Sequence, residues 1–256
     1  MSATSGTSAP RAANVSRTSE QMCLRWSGYI GLTPLLLLLV SVGGRRFPWP
    51  NDNVEGGVYA SYMLPHRTAE IQSVIGMGMV LGLLMWTAPL VVVYMRRAGR
   101  ITLSTLTLIC GSVLSLALFT VSIALYLGIV LFARGYPGFG SNPADHRMIT
   151  LAWLLMNCCY FVGEIIRGVA CIALVTANRA TPVLPKSLGT WGAGVVAVVS
   201  ILCSAFAFVA TGLWSPGSTA SLMIVEGVTL AWVLATSLWL LRATHRPDLA
   251  NGPGRG

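Results

Sequence analysis

The chain has 256 residues, of which 54% are hydrophobic and only 10% are charged, and its formal net charge is +9. A soluble domain carries about 25% charged residues, so this composition excludes an ordinary soluble domain and indicates that lipid surrounds most of the chain. The basic residues lie in short clusters between apolar runs, where Lys and Arg set membrane topology. We therefore expect the lipid bilayer as a partner and no nucleic acid.

The N-terminal 25 residues are rich in Ser, Thr and Ala and lack the apolar residues that build a core. This composition predicts a disordered tail over residues 1–25. The first apolar run, about residues 26–44, is just long enough to span a bilayer. A cleaved signal peptide is the alternative, because Ser41 and Gly43 are small enough for a cleavage site. We favour retention of the run, because the polar segment ahead of it is unusually long for a signal.

Five further apolar runs predict five further spans. They cover about residues 71–95, 101–132, 148–176, 188–213 and 220–241. The predicted fold class is therefore all-α, a polytopic transmembrane helix bundle of six spans. It forms one membrane domain over residues 26–242, with a cytoplasmic tail over residues 243–256. Ser112, Ser115, Ser122 and Tyr126 add scattered polar atoms to the third run, and we expect them to be structural, because small hydroxyls often bond to their own helix.

The distribution of Lys and Arg predicts the orientation of the bundle. Eleven of these residues fall on the side of the N-terminus and five on the other side, which predicts that both termini are cytoplasmic. The eleven are Arg11, Arg17, Arg25, Arg96, Arg97, Arg100, Arg179, Lys186, Arg242, Arg246 and Arg255, and the five are Arg45, Arg46, Arg67, Arg134 and Arg147.

The fourth run carries two opposite charges, Glu164 and Arg167, deep inside an apolar stretch. A charge at the bilayer centre costs roughly 2.5–3.5 kcal/mol on insertion scales, so such side chains tend to face a protein interior. Their spacing of three residues predicts an ion pair within the helix. Polar residues recur every three to four positions and so share one helical face, made of Asn157, Tyr160, Glu164, Arg167 and Cys171. The opposite side carries Leu155, Phe161, Ile166 and Val169.

A third charge, Glu226, lies in the sixth run. At 1.5 Å per residue, Glu226 lies about 9 Å from the outer end of its span and Glu164 about 21 Å from the outer end of the fourth. This mismatch of about 12 Å predicts that Glu226 does not contact Arg167, whereas Asn157, about 10 Å in, lies at the depth of Glu226. We expect a cavity open toward the outer leaflet, with Glu226 and Asn157 near its mouth and the Glu164–Arg167 pair at its floor.

Several functions fit this polar face. The first is the binding of a small or lipophilic ligand, or of another membrane subunit, by Asn157, Tyr160, Glu164, Arg167 and Glu226. The second is a membrane-embedded enzyme acting on an apolar, isoprenoid-like substrate with Glu226 or Glu164 as general acid. Pairing with Arg167 makes Glu164 the poorer acid. The third is a transporter or an accessory subunit, although the sequence shows no clear inverted repeat. An ion pair that only fixes helix register is also open.

No cofactor and no metal are expected from the sequence. The three histidines, His66, His146 and His245, lie outside the apolar runs, so a histidine metal cluster within the membrane is excluded. The six cysteines form no CxxC pair, and they are read as small apolar side chains in helix packing. The chain also lacks a GxxxxGK[ST] phosphate-binding loop and an HExxH zinc motif.

Four stretches carry a resemblance to a known family: HRTAEIQSVIGMGMVLGL, TLAWLLM, RATPVLPKSLG and LAWVLATSLWLLR. Together they resemble an uncharacterised family of small polytopic membrane proteins common in actinobacteria, over about residues 55–242. The resemblance implies six helices and a location in the inner (plasma) membrane. It implies no activity, and Glu164 and Arg167 are not part of the family pattern.

Overall fold

A computed structural model describes residues 9–37, 68–136, 138–205 and 219–245 of the chain. The fold is all-α, and the described residues contain no strand. The helices of this part are α1 (Ala9–Ile30), α2 (Thr68–Ala98), α3 (Leu103–Gly135), α4 (Pro143–Ala180), α5 (Ala193–Cys203) and α6 (Thr219–His245). A π-helix, Ser187–Gly192, leads into α5.

Four helices of the described part are long and apolar enough to cross a membrane. They are Ser73–Ala98, Leu103–Phe132, Pro143–Ala180 and Ile224–His245, and they match the predicted second, third, fourth and sixth spans. Ser187–Cys203, where the fifth span was predicted, is apolar but shorter. The predicted first span continues into residues 38–67, and the predicted fifth span continues into residues 206–218. Both of these ranges lie outside the described residues.

Residues 9–25, for which the sequence predicted a disordered tail, are helical in the structure. Glu20 forms an ion pair with Arg97 of α2, and Leu24 is buried at 9% exposure. The hydroxyl of Ser27 donates to the carbonyl of Trp86 at 2.8 Å. The difference arises because α1 docks through polar and ionic contacts with α2, which a count of apolar residues does not register.

The six helices close into a ring. Each helix packs on the next one along the chain, and α6 packs back on α1. The α3–α4 pair has the most extensive contact: Ser115 Oγ donates to the carbonyl of Gly163 at 2.9 Å and Ser122 Oγ to that of Met156 at 3.0 Å. These two hydroxyls bond to the backbone of α4 and not to their own helix, because that backbone lies within their reach, and the bonds join the two helices.

Buried hydrogen bonds seal the ring at the end where α2 and α4 terminate. Asn178, 3% exposed, accepts the hydroxyl of Tyr94 at 2.6 Å. Its Oδ1 also accepts the backbone N–H groups of Val183 and Leu184, while its Nδ2 donates to the carbonyl of Leu184 at 3.1 Å. One asparagine thereby fixes the connection between α4 and the π-helix against α2.

Candidate functional site

Helix α4 carries the predicted polar face and is the longest helix of the described part. It begins at Pro143 behind Asn142, whose side-chain oxygen accepts the backbone N–H groups of Ala144 and Asp145. Such a cap satisfies donors that a helix start leaves free. At 1.5 Å per residue its 38 residues extend about 57 Å, well beyond a hydrocarbon core of about 30 Å.

The polar face of α4 points into the ring. Glu164 is fully buried and Arg167 is 9% exposed, whereas Leu155 and Val169 are 48% and 43% exposed on the outer side. Phe161, which the sequence placed on the outer side, is 3% exposed. The prediction for Phe161 was wrong because α3 and α5 both pack on α4. Together they bury more of the α4 surface than the polar face alone. The other buried members of the face are Asn157 and Cys171.

Glu164, Arg167 and Glu226 meet in what we call the charge cluster. Arg167 Nη2 donates to Glu164 Oε2 at 2.5 Å, and Nη1 donates to Glu226 Oε2 at 3.4 Å. Tyr160 donates its hydroxyl to Glu226 Oε1 at 3.0 Å, and Arg167 Nε donates to Ser200 Oγ at 3.4 Å. One guanidinium therefore joins two carboxylates from α4 and α6, and holds α5 through Ser200.

The contact between Arg167 and Glu226 overturns the depth estimate made from the sequence. That estimate assumed that the outer ends of the two helices are level. Instead α4 starts 21 residues before Glu164, whereas α6 starts only seven residues before Glu226, so the start of α4 extends beyond the start of α6. In addition, helical side chains lean toward the N-terminus, which brings the long Arg167 side chain toward the level of Tyr160 and Glu226.

Asn157 does not take the place predicted for it beside Glu226, since Tyr160 occupies that place. Asn157 is 6% exposed, and its Nδ2 has no hydrogen-bond partner among the described residues. Glu164 Oε1 is likewise without a partner there. Buried polar groups are usually hydrogen-bonded, so these two atoms are unusual features of the α4 interior.

An aromatic ring covers the guanidinium. The carbon centre of the Arg167 guanidinium lies 5.3 Å from the centroid of the Phe119 ring, within the range of a cation–π contact. Gly163 permits this approach, because a Cβ there would lie 2.7 Å from Phe119 Cε1. Sequence reasoning missed both Phe119 and Ser200. Ser200 is at least visible as a lone hydroxyl in the apolar run VVSIL, whereas nothing local marks Phe119.

A cavity of about 80 Å³, the central cavity, lies inside the ring and is open on part of its surface. Its α4 wall runs from Arg167 to Leu174, so it extends from the charge cluster toward the end sealed by Asn178. Among the described residues that line it, Arg167 is the only charged one. The lining residues are Leu83, Trp86, Thr87, Leu90, Val91, Leu108, Ser112, Ser115, Leu116, Arg167, Ala170, Cys171, Leu174, Val196, Thr229, Trp232 and Val233.

Two tryptophans form one wall of the central cavity. The rings of Trp86 and Trp232 pack edge to face with their centroids 5.3 Å apart. Trp232 Nε1 donates to the carbonyl of Leu188 in the π-helix at 2.9 Å. Gly192 lies directly against the same indole, since a Cβ there would come within 2.6 Å of Trp232 Cδ1. The π-helix thereby holds the Trp232 side chain in place.

The central cavity differs from the one expected from the sequence. Arg167 borders it as predicted, but Asn157, Tyr160, Glu164 and Glu226 do not belong to its lining. Three of them, Tyr160, Glu164 and Glu226, instead take part in the hydrogen bonds of the charge cluster. Arg167 is therefore the link between the cluster and the cavity.

No protein-family model, curated protein or solved structure matches this chain. The geometry of the charge cluster and of the central cavity therefore carries the argument for function. A largely apolar chamber with a single guanidinium in its wall suits a molecule that combines an apolar body with one polar atom.

Proposed function

We propose that this chain is a multi-pass protein of the inner (plasma) membrane that binds a small lipophilic molecule in its central cavity. In this proposal it has six spans and cytoplasmic termini. It belongs with the small actinobacterial membrane proteins that the quoted stretches resemble. The bilayer supplies the ligand, and Arg167 anchors the polar part of that ligand.

The observation that carries the proposal is the position of Arg167. The ring contains four long apolar helices, and its interior is shielded from water. A charged side chain in such an interior is energetically costly. An ion pair that only set the helix register would be closed off by packing. Arg167 instead borders the central cavity, whose lining residues come from α2, α3, α4, α5 and α6.

The arrangement of basic residues supports the proposed orientation. Arg97 of α2 donates to the carbonyl of Pro182, so the ends of α2 and α4 lie together. The basic residues at these ends are exposed, and they include Arg96, Arg97, Arg100, Arg179 and Lys186. Such a basic end is typical of the cytoplasmic side.

The orientation is tested by cysteine accessibility in a variant whose six native cysteines are replaced by Ala. A membrane-impermeant maleimide added to intact cells should label Ser141→Cys and should leave Lys186→Cys unlabelled until the cells are opened. Labelling of Lys186→Cys in intact cells would contradict cytoplasmic termini.

The enzyme alternative has less support. A general acid must lie within hydrogen-bond reach of its substrate. Glu226 and Glu164 do not border the central cavity, and each shares the Arg167 guanidinium. A second subunit that covers Glu226, whose side chain is 27% exposed, is a further alternative for the polar face.

Ligand binding is tested by photolabelling of the full chain in lipid nanodiscs. A diazirine-bearing octanol should label residues that line the central cavity, as mapped by mass spectrometry of the labelled peptides. Ser112→Leu should abolish most of this labelling, because the larger side chain fills the cavity from α3. The substitution breaks no hydrogen bond that the structure shows for Ser112.

A matched control is Ala117→Leu, which adds a leucine on the exposed side of the same helix. It should leave the cavity labelling unchanged. Labelling confined to lipid-facing residues, or equal labelling of the two variants in the cavity, would overturn the proposed function. The polar residues of the site would then be structural, or would serve a partner.

A further inference from the structure

We propose that the central cavity selects a ligand whose head is an uncharged oxygen acceptor, such as an alcohol, an aldehyde or a ketone, and that it rejects a carboxylate of the same length. This inference rests on the proposed function and specifies the chemical class of the ligand. It follows from which donors of Arg167 the protein leaves without an acceptor and from the two carboxylates that already face the guanidinium.

The protein uses only some of the hydrogen-bond donors of Arg167. A guanidinium has five N–H bonds. The structure directs three of them to protein acceptors, namely Glu164 Oε2, Glu226 Oε2 and Ser200 Oγ. Two N–H bonds have no acceptor among the described residues, and Arg167 borders the central cavity. A ligand oxygen that accepts a hydrogen bond would satisfy one of these donors.

The negative charge already gathered around Arg167 excludes an anionic head. Arg167 already faces two carboxylates, at 2.5 Å and 3.4 Å. The titratable and charged groups packed around it are Tyr160, Glu164 and Cys171 of α4 and Glu226 of α6, and none of these groups adds a positive charge. A third carboxylate would therefore meet more negative than positive charge at short range, in surroundings that screen charges weakly.

The groups that line the central cavity exclude a cationic head. An ammonium group has only donors. The two carboxylates that could accept from it already accept from Arg167 and are not part of the cavity lining. A cation entering the cavity would instead meet the like charge of Arg167, and the acceptors left to it there are uncharged hydroxyl oxygens such as those of Thr87 and Thr229. An uncharged acceptor is the head group that this surface can satisfy.

The size of the cavity assigns it to the head of the ligand. On the measure in which one water molecule needs about 10–15 Å³, a cavity of about 80 Å³ holds roughly five to eight water molecules, which is small for a whole lipophilic ligand. That space accommodates a polar head and its first carbons, and the cavity is open on part of its surface, where the remaining chain can leave. The apolar lining, with Trp86 and Trp232, suits the carbons next to the head.

The test is competition against the diazirine-octanol label in nanodiscs, at known ratios of competitor to lipid. Unlabelled octanol and 2-octanone should each displace the label at concentrations about tenfold lower than octanoate or octylamine. Equal or better displacement by octanoate would overturn the inference and leave the proposed function standing. Better displacement by octylamine would overturn it too, in favour of a cation site. Absence of cavity labelling would instead count against the proposed function.

A variant provides a second, independent readout. Glu226→Gln removes one of the two negative charges and keeps an acceptor for Tyr160, so octanoate should gain about tenfold as a competitor relative to octanol. Glu20→Gln, which removes a carboxylate from the ion pair with Arg97 far from the cavity, is the matched control. An unchanged octanol-to-octanoate ratio in Glu226→Gln would show that the charge cluster does not set the head group.

Discussion

Replacement of Arg167 by Met is the sharpest test of the charge cluster. The substitution leaves Glu164, fully buried, and Glu226 without their shared guanidinium. Loss of one partner from a buried ion pair costs about 3–5 kcal/mol, because an uncompensated charge remains inside. We expect Arg167→Met to lower the free energy of unfolding by that amount.

Replacement of Glu226 by Gln should cost far less, about 1 kcal/mol or below. The side chain is 27% exposed, Gln keeps an acceptor for the Tyr160 hydroxyl, and the Arg167–Glu164 pair stays intact. The triple variant Arg167→Met, Glu164→Gln, Glu226→Gln should recover most of the loss, since removal of all the buried charges together is often nearly neutral.

The measurement is unfolding of the purified protein in mixed micelles by increasing sodium dodecyl sulfate, followed by helical circular dichroism. Ile165→Met is the control, because Ile165 neighbours the cluster in sequence but is 43% exposed on the outside of α4. An Arg167→Met variant as stable as this control would refute the reasoning. So would a Glu226→Gln variant that loses as much stability as Arg167→Met.

Two further predictions use the same unfolding measurement. Asn178→Leu should lower the free energy of unfolding by about 3 kcal/mol, because it leaves the Tyr94 hydroxyl and the backbone groups of Val183 and Leu184 buried without their hydrogen-bond partner. A loss of stability below that of the Ile165→Met control would contradict this role of Asn178. Gly163→Ala should cost about 1–3 kcal/mol through its clash with Phe119. By contrast, Gly194→Ala, with open space around its Cβ, should be neutral or stabilising by up to about 1 kcal/mol.

The sequence by itself determined the four long apolar helices and the inward position of Glu164 and Arg167 on α4. Apolar runs of spanning length predicted the four candidate spans, because a chain in lipid must satisfy its backbone hydrogen bonds within each segment. The spacing of Glu164 and Arg167 predicted their ion pair, since that contact depends only on the geometry of one helix.

Only the tertiary structure decided what meets that face. The offset between α4 and α6 depends on how five other elements pack, so a depth estimate from residue counts was wrong about the distance between Arg167 and Glu226. Phe119 and Ser200 join the cluster from α3 and α5 for the same reason. The central cavity likewise exists only once α2, α3, α4, α5 and α6 come together around it, an arrangement that no local pattern encodes.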